Sequence, residues 1–168
     1  MVEKQAARRR IPGRARVRRG TPPDGDDAPG WRAFASAGSG LHHKICHVLG
    51  GTFGLPHAQT HAVLLPHVLA LNTAYAGDRV SAIAAALGAP RTGSTANAAL
   101  AGLATAVGAP RSLNGIGLRE ADIPEAVDLI MPVVPPSNPA PVTPAILDAL
   151  LRAAWRGGPP ESPSDRTM

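Results

Sequence analysis

The sequence LHHKICHVLGGTFGLPHAQTHAVLLPH, residues 41–67, contains all six histidines and the only cysteine of a chain of 168 residues. Apolar residues recur along its first part at the spacing of one helix face, at Leu41, Ile45, Val48 and Leu49. The glycine pair at 50–51 predicts the end of this first helix, which begins near Trp31. Pro56 suits the first position of a second helix over residues 56–77, and Pro66 inside it predicts a kink or a tight contact with a neighbour.

Helical patterns continue through the rest of the chain, at residues 78–88, 94–107, 119–131 and 143–157. The last of these has Thr143 as its cap, Pro144 at its first position and Gly157 as its stop. The pentapeptides LGAPR (87–91) and VGAPR (107–111) indicate one kind of helix stop used twice. No run alternates between apolar and polar residues for long enough to predict a strand. The predicted fold class is therefore all-α, a helical bundle over about residues 36–157.

The positive charge of the chain is confined to its N-terminal quarter. Residues 1–40 hold nine Lys and Arg against four Asp and Glu, whereas residues 41–168 hold eight of each. Residues 1–30 are rich in Arg, Gly and Pro without hydrophobic periodicity, which predicts a disordered basic tail. The predicted organisation is that tail, a helical histidine-bearing domain over 31–157, and a polar disordered tail over 158–168.

Several classes of function are disfavoured by the composition. The basic tail has no aromatic residue to stack on bases, so no nucleic-acid partner is predicted. No stretch of 18 or more apolar residues predicts a membrane span, and no apolar core follows the basic N-terminus as in a secretory signal. A single cysteine cannot form an intramolecular disulfide. We therefore expect a cytoplasmic protein with no membrane partner.

The histidines are spaced for helix faces. His43 and His47 are four residues apart, as are His57 and His61, so two adjacent helices can bring His43, His47 and His57 together. Three explanations remain open: ordinary structural histidines, a metal site built from imidazole ligands, and acid/base or cofactor-contacting histidines of a redox site. Cys46 is expected to pack as a small buried apolar group.

The same window resembles the signature helix pair of the iron-containing alcohol dehydrogenase superfamily, through LHHKICHVLGGTFGLPHAQTHAVLLPH and the later NPAPVTPAILDALLRAAWRG (138–157). The resemblance covers about residues 41–157 and implies the C-terminal helical domain of a two-domain subunit whose N-terminal α/β domain binds the dinucleotide. It implies that His43 and His57 are metal ligands for iron or zinc in the metal-dependent members. It also implies that His47 lies near the nicotinamide and the substrate.

The form LHHK-x-CH resembles the maleylacetate reductase branch in particular, which is commonly described as not requiring a metal. The implied reaction is hydride transfer from NADH or NADPH to the carbon–carbon double bond of maleylacetate, giving 3-oxoadipate, in the breakdown of aromatic compounds. His47, His43 and Lys44 are then the expected catalytic residues, with Lys44 suited to a carboxylate of this small dianionic substrate. The alternatives are an iron- or zinc-dependent alcohol dehydrogenase and an inactive fragment.

One part of the family pattern is missing from the sequence. Residues 1–40 contain no strand followed by a glycine-rich phosphate loop, and there is no room there for a dinucleotide domain. A truncated or misjoined reading frame would explain this, and the chain alone is then expected to be inactive. Surface that a cofactor domain would cover would be left exposed, which favours aggregation or a homodimer.

Overall fold

The computed structural model describes residues 40–89 and 93–160. This part of the chain contains no strand, which confirms the predicted all-α class. The predicted basic tail at 1–30, the start of the first helix near Trp31, and residues 161–168 of the predicted C-terminal tail lie outside it. The helices are α1 (Leu41–Phe53), α2 (His57–Ala86), α3 (Gly93–Ala106), α4 (Ile123–Ile130) and α5 (Pro144–Arg156), with short 3-10 turns at Asn114–Ile116, Glu120–Asp122 and Met131–Val133.

Helix α1 continues past the glycine pair at which its end was predicted. Gly50 and Gly51 are helical, and the stop is Gly54, whose left-handed φ of 68° lets its backbone N–H donate to the carbonyl of Leu49. Two glycines in a helix cost about 2 kcal/mol relative to alanine. Leu49 is fully buried and Phe53 packs against the core, and burial of two such side chains exceeds that cost.

Helix α2 contains one break, at Gly77, where φ is 40° and ψ is −115°. The break falls at the predicted boundary between the helices at 56–77 and 78–88. Gly77 is the only residue of α2 with non-helical dihedral angles, so the backbone stays helical at Pro66. None of the described helices is long and apolar enough to cross a membrane.

The main core lies between α1, the part of α2 before Gly77, α4 and α5. Helix α5 has the predicted ends: the Thr143 hydroxyl accepts the backbone N–H of Ile146 at 3.2 Å, Pro144 occupies the first position, and Gly157 takes a left-handed φ of 70°. The indole N–H of Trp155 donates to the carbonyl of Leu118 at 2.9 Å and ties α5 to the preceding loop. The largest fully buried side chains of this core are Ile45, Leu49, Leu64, Leu113, Leu118, Ile123, Ile130, Leu147 and Leu151.

A smaller cluster joins the part of α2 after Gly77 to α3, through the buried Val80, Ala84 and Ala96. Both helices end in the same hydrogen-bonding pattern. The N–H of Ala89 donates to the Ala84 carbonyl and the N–H of Ala109 to the Ala104 carbonyl, each at 2.9 Å, after a left-handed glycine. This is the repeated helix stop that the two pentapeptides predicted.

Candidate active site

The first half of α1 and the start of α2 bring four imidazole rings together on one side of the helix pair. We call His43, His47, His57 and His61 the outer cluster. The ring centroids are 4.4 Å apart for His43–His47 and for His57–His61, 5.4 Å for His43–His61, 5.7 Å for His47–His57 and 6.1 Å for His43–His57. The spacing in the sequence predicted that His43, His47 and His57 would meet, but not that His61 would join them.

The outer cluster is open on one side. His47 and His57 are exposed, whereas His43 and His61 are half-buried. Nε2 of His57 and Nε2 of His61 are 3.1 Å apart, so the N–H of one ring donates a hydrogen bond to the bare nitrogen of the other. A small polar molecule can therefore reach the rings from solvent.

The electrostatics of this cluster favour neutral rings. Burial, followed by the neighbouring His42, His57, His43 and His47, lowers the pKa of His61 from 6.5 to about 4. Burial also lowers the pKa of His43, with smaller effects from His47, His57 and the ammonium of Lys44. His43 and His61 are therefore mostly neutral at pH 7, and a neutral imidazole is the form that binds a metal.

The resemblance predicts His43 and His57 as two ligands of one metal ion, and their ring centroids are 6.1 Å apart. Imidazole nitrogens lie about 2 Å from a bound zinc, which puts the centroids of two rings on one tetrahedral ion roughly 5 Å apart. The two rings would therefore have to approach by about 1 Å to share an ion. No Asp or Glu occurs between Gly30 and Asp78, so this part of the chain offers imidazoles but no carboxylate. The residues present fit half of a coordination sphere.

A second group of side chains lies beneath the outer cluster, and we call His42, Cys46 and His61 the inner cluster. One ligand atom from each lies within 4.8 Å of the other two. Nε2 of His42 is 3.1 Å from the carbonyl oxygen of His61, and the two rings meet edge-on at 4.6 Å. Cys46 is fully buried, as expected, and burial raises the pKa of its thiol to about 12. The sequence showed His42 and Cys46 four residues apart, but it did not predict that the His61 ring would lie next to both of them.

Two residues of the window lie apart from the ring contacts. Lys44 is half-buried on α1, close enough to His43 for its ammonium to disfavour protonation of that ring. His67 makes no ring contact within the described part of the chain. It is 6% exposed and lines a cavity of about 390 Å³ with Pro66, Thr105 and Arg111, and burial lowers its pKa to about 4.

The chain matches a known protein family and several of its members. The model of the "Fe-containing alcohol dehydrogenase family, C-terminal" matches residues 30–155. Maleylacetate reductase 1 of Cupriavidus pinatubonensis is 45% identical over 129 residues, which are 77% of this chain and 35% of that protein. Maleylacetate reductase of Pseudomonas sp. (strain P51) is 48% identical over 121 residues, 72% of this chain and 33% of that protein.

Solved structures agree with this assignment. An iron-containing alcohol dehydrogenase from Corynebacterium glutamicum superposes with a TM-score of 0.71 at 52% identity, covering 76% of this chain and 35% of that one. A maleylacetate reductase from Agrobacterium tumefaciens superposes with a TM-score of 0.65 at 38% identity, covering 73% and 33%. The chain spans about a third of the length of these relatives. It therefore belongs to the Fe-containing alcohol dehydrogenase family, where it corresponds to the C-terminal helical region and is similar to maleylacetate reductases.

Proposed function

We propose that this chain supplies the histidine-bearing region of a maleylacetate reductase-like oxidoreductase. The reaction is the reduction of the carbon–carbon double bond of maleylacetate to give 3-oxoadipate, with NADH or NADPH as the reductant. The observation that carries the proposal is the outer cluster, which presents exposed imidazoles on a helix pair shared with relatives named maleylacetate reductases.

The reaction requires positively charged or hydrogen-bond-donating groups at two places on the substrate, the ketone oxygen and a carboxylate. The dinucleotide, when bound, supplies a hydride to the carbon conjugated with the ketone, and negative charge then develops on the ketone oxygen. His47 is exposed at the edge of the outer cluster, where its ring can donate a hydrogen bond to that oxygen. Lys44, half-buried beside His43, offers an ammonium to one of the two substrate carboxylates.

A second candidate function is an iron- or zinc-dependent alcohol dehydrogenase. It is favoured by the proximity of the His43 and His57 rings, whose centroids are 6.1 Å apart, and by the 52% identity to an iron-containing alcohol dehydrogenase. His43 and His57 would hold the ion, which when bound supplies a Lewis acid that polarises a carbonyl or alkoxide oxygen. The other ligands would come from outside the described residues.

Activity is expected to depend on a cofactor domain. The resemblance assigns dinucleotide binding to an α/β domain that precedes this region, and the chain spans about a third of its relatives. We therefore expect negligible turnover by the 168-residue chain alone. The N-terminal two thirds of a related reductase, supplied separately, would provide that dinucleotide-binding domain.

The test is a complementation assay. The full chain is mixed with the separately expressed N-terminal region of the Cupriavidus pinatubonensis reductase, and NADH absorbance is followed with maleylacetate. We expect turnover in the mixture and not with either partner alone. His47→Ala should abolish it, whereas Gln59→Ala, an exposed change on α2, should leave it intact.

Two other results would contradict the proposal. Oxidation of simple alcohols with added iron or zinc, without reduction of maleylacetate, would establish the second candidate instead. No turnover by a mixture in which both partners are folded, as judged by circular dichroism, would remove both candidates.

A further inference from the structure

The inner cluster combines a sulfur atom with two imidazoles in a small volume. We propose that His42, Cys46 and His61 form a second metal site, separate from the His43–His57 pair, for a divalent ion that accepts mixed sulfur and nitrogen ligands. Zinc is the ion that this ligand chemistry suits best, since thiolate and imidazole are its usual protein ligands. The proposal does not depend on which reaction the chain supports.

The geometry needs only a small contraction to hold an ion. The three ligand atoms lie within 4.8 Å of one another. Bonds of about 2.3 Å to sulfur and about 2.0–2.1 Å to nitrogen place tetrahedral ligands roughly 3.3–3.6 Å apart. His61 is only half-buried, so rotation of its side chain can close the remaining gap while His42 keeps its hydrogen bond. His42 and Cys46 are one turn apart on α1, which is a common way for a helix to supply two ligands.

The hydrogen bonding of His42 prepares it as a ligand. The Nε2–H of its ring donates to the His61 carbonyl at 3.1 Å. In a neutral ring this leaves Nδ1 without a proton and able to coordinate. Histidine ligands usually donate their other N–H to a carbonyl or carboxylate, which fixes both the tautomer and the orientation of the ring.

The burial pattern gives the ion both an entrance and a protected sulfur. Cys46 is fully buried at the floor of the cluster, whereas the two half-buried rings form its upper side. On binding, the S–H bond of Cys46 breaks, a bond between sulfur and the ion forms, and one proton passes to solvent. Three protein ligands leave the fourth tetrahedral position for water.

Cobalt titration of the tag-free, metal-depleted 168-residue chain tests the proposal, because cobalt(II) replaces zinc and reports its ligands by colour. We expect one cobalt per chain and a sulfur-to-cobalt charge-transfer band in the near ultraviolet, with one proton released per ion. Added zinc should remove the band by competition. Cys46 is the only cysteine, so in a monomeric sample a thiolate band can arise only from this residue.

Two variants separate the inner cluster from the outer one. Cys46→Ala, a change between two small apolar residues, should lose the band and weaken binding by more than about tenfold, because even outer partners of metal ligands contribute tenfold or more to affinity. The double variant His43→Ala/His57→Ala should keep the band. Circular dichroism of each variant verifies that it is folded.

Three results would overturn the site. They are the absence of a charge-transfer band in the wild-type chain at saturating cobalt, the persistence of the band in Cys46→Ala, and its loss in a folded His43→Ala/His57→Ala variant. If Cys46→Ala does not fold, the wild-type band and the proton count decide the matter by themselves.

Discussion

Acidification should destabilise this chain through His67. The ring is 6% exposed, and burial lowers its pKa from 6.5 to about 4. Between these two pKa values the unfolded chain binds a proton at His67 that the folded chain does not bind. The free energy of unfolding therefore rises with pH across this window and falls as the pH is lowered from about 6.5 to about 4.

The expected loss follows from the size of the shift. A difference of about 2.5 pH units corresponds to about 3 kcal/mol when both states are fully protonated, and about 2 kcal/mol of it is lost between pH 7 and about pH 5. Because His67 is almost wholly buried, solvent screening removes little of this amount. For a domain of this size, 2 kcal/mol is roughly a fifth of the total stability.

The assay is urea unfolding followed by circular dichroism, at pH 7 and at about pH 5, for the wild-type chain and for His67→Leu. The ring lines a cavity, so leucine has room at this position. The variant should lose about 2 kcal/mol less than the wild type on acidification, and contributions from His61 cancel in this comparison. The matched control is Val68→Ala, which removes about 2 kcal/mol of burial equally at both pH values.

Equal acid sensitivity in the wild-type chain and in His67→Leu would refute this reasoning. It would mean that His67 takes up its proton in the folded state as readily as in the unfolded state.

Three further predictions concern residues that stabilise the α1–α2 helix pair or the loop before α5. Gly54→Ala places a side chain at a φ of 68° and should cost about 1–2 kcal/mol in urea unfolding, whereas Gly51→Ala, inside α1, should be neutral or stabilising. Asn138→Ala removes a paired amide contact with Asn72, at 3.0 and 3.2 Å, and should cost about 1–3 kcal/mol by the same measurement; no loss would show that the pair is broken in solution. Cys46 should react with a maleimide only after denaturant is added, since its thiol is fully buried with a pKa of about 12, and fast labelling of the native chain would contradict its placement.

Those parts of the fold that depend on local chemistry could be predicted from the sequence. The ends of α5 follow from Thr143, Pro144 and Gly157, each of which acts on the backbone next to it. The break in α2 at Gly77 has a similarly local cause. The end of α1 could not be predicted in this way, because packing of Leu49 and Phe53 against residues distant in sequence carries the helix through the glycine pair at 50–51.

The same distinction between local and long-range causes applies to the candidate site. A spacing of four on each helix is a local property, and it predicted that His43, His47 and His57 would meet. The angle at which α1 crosses α2 depends on how their buried apolar side chains fit together, and that is a property of the whole core. It is this crossing that carries the His61 ring over α1.

His61 consequently belongs to both clusters. Its ring lies 4.4 Å from that of His57 on the outer side and 4.6 Å from that of His42 on the inner side. An ion held by His42, Cys46 and His61 would draw His61 away from its contact with His57 at Nε2. The His57 ring would then be released to turn toward solvent or toward a ligand of its own. Occupancy of the inner site should therefore change the orientation of the exposed His57 ring, because the His61 imidazole contacts both groups.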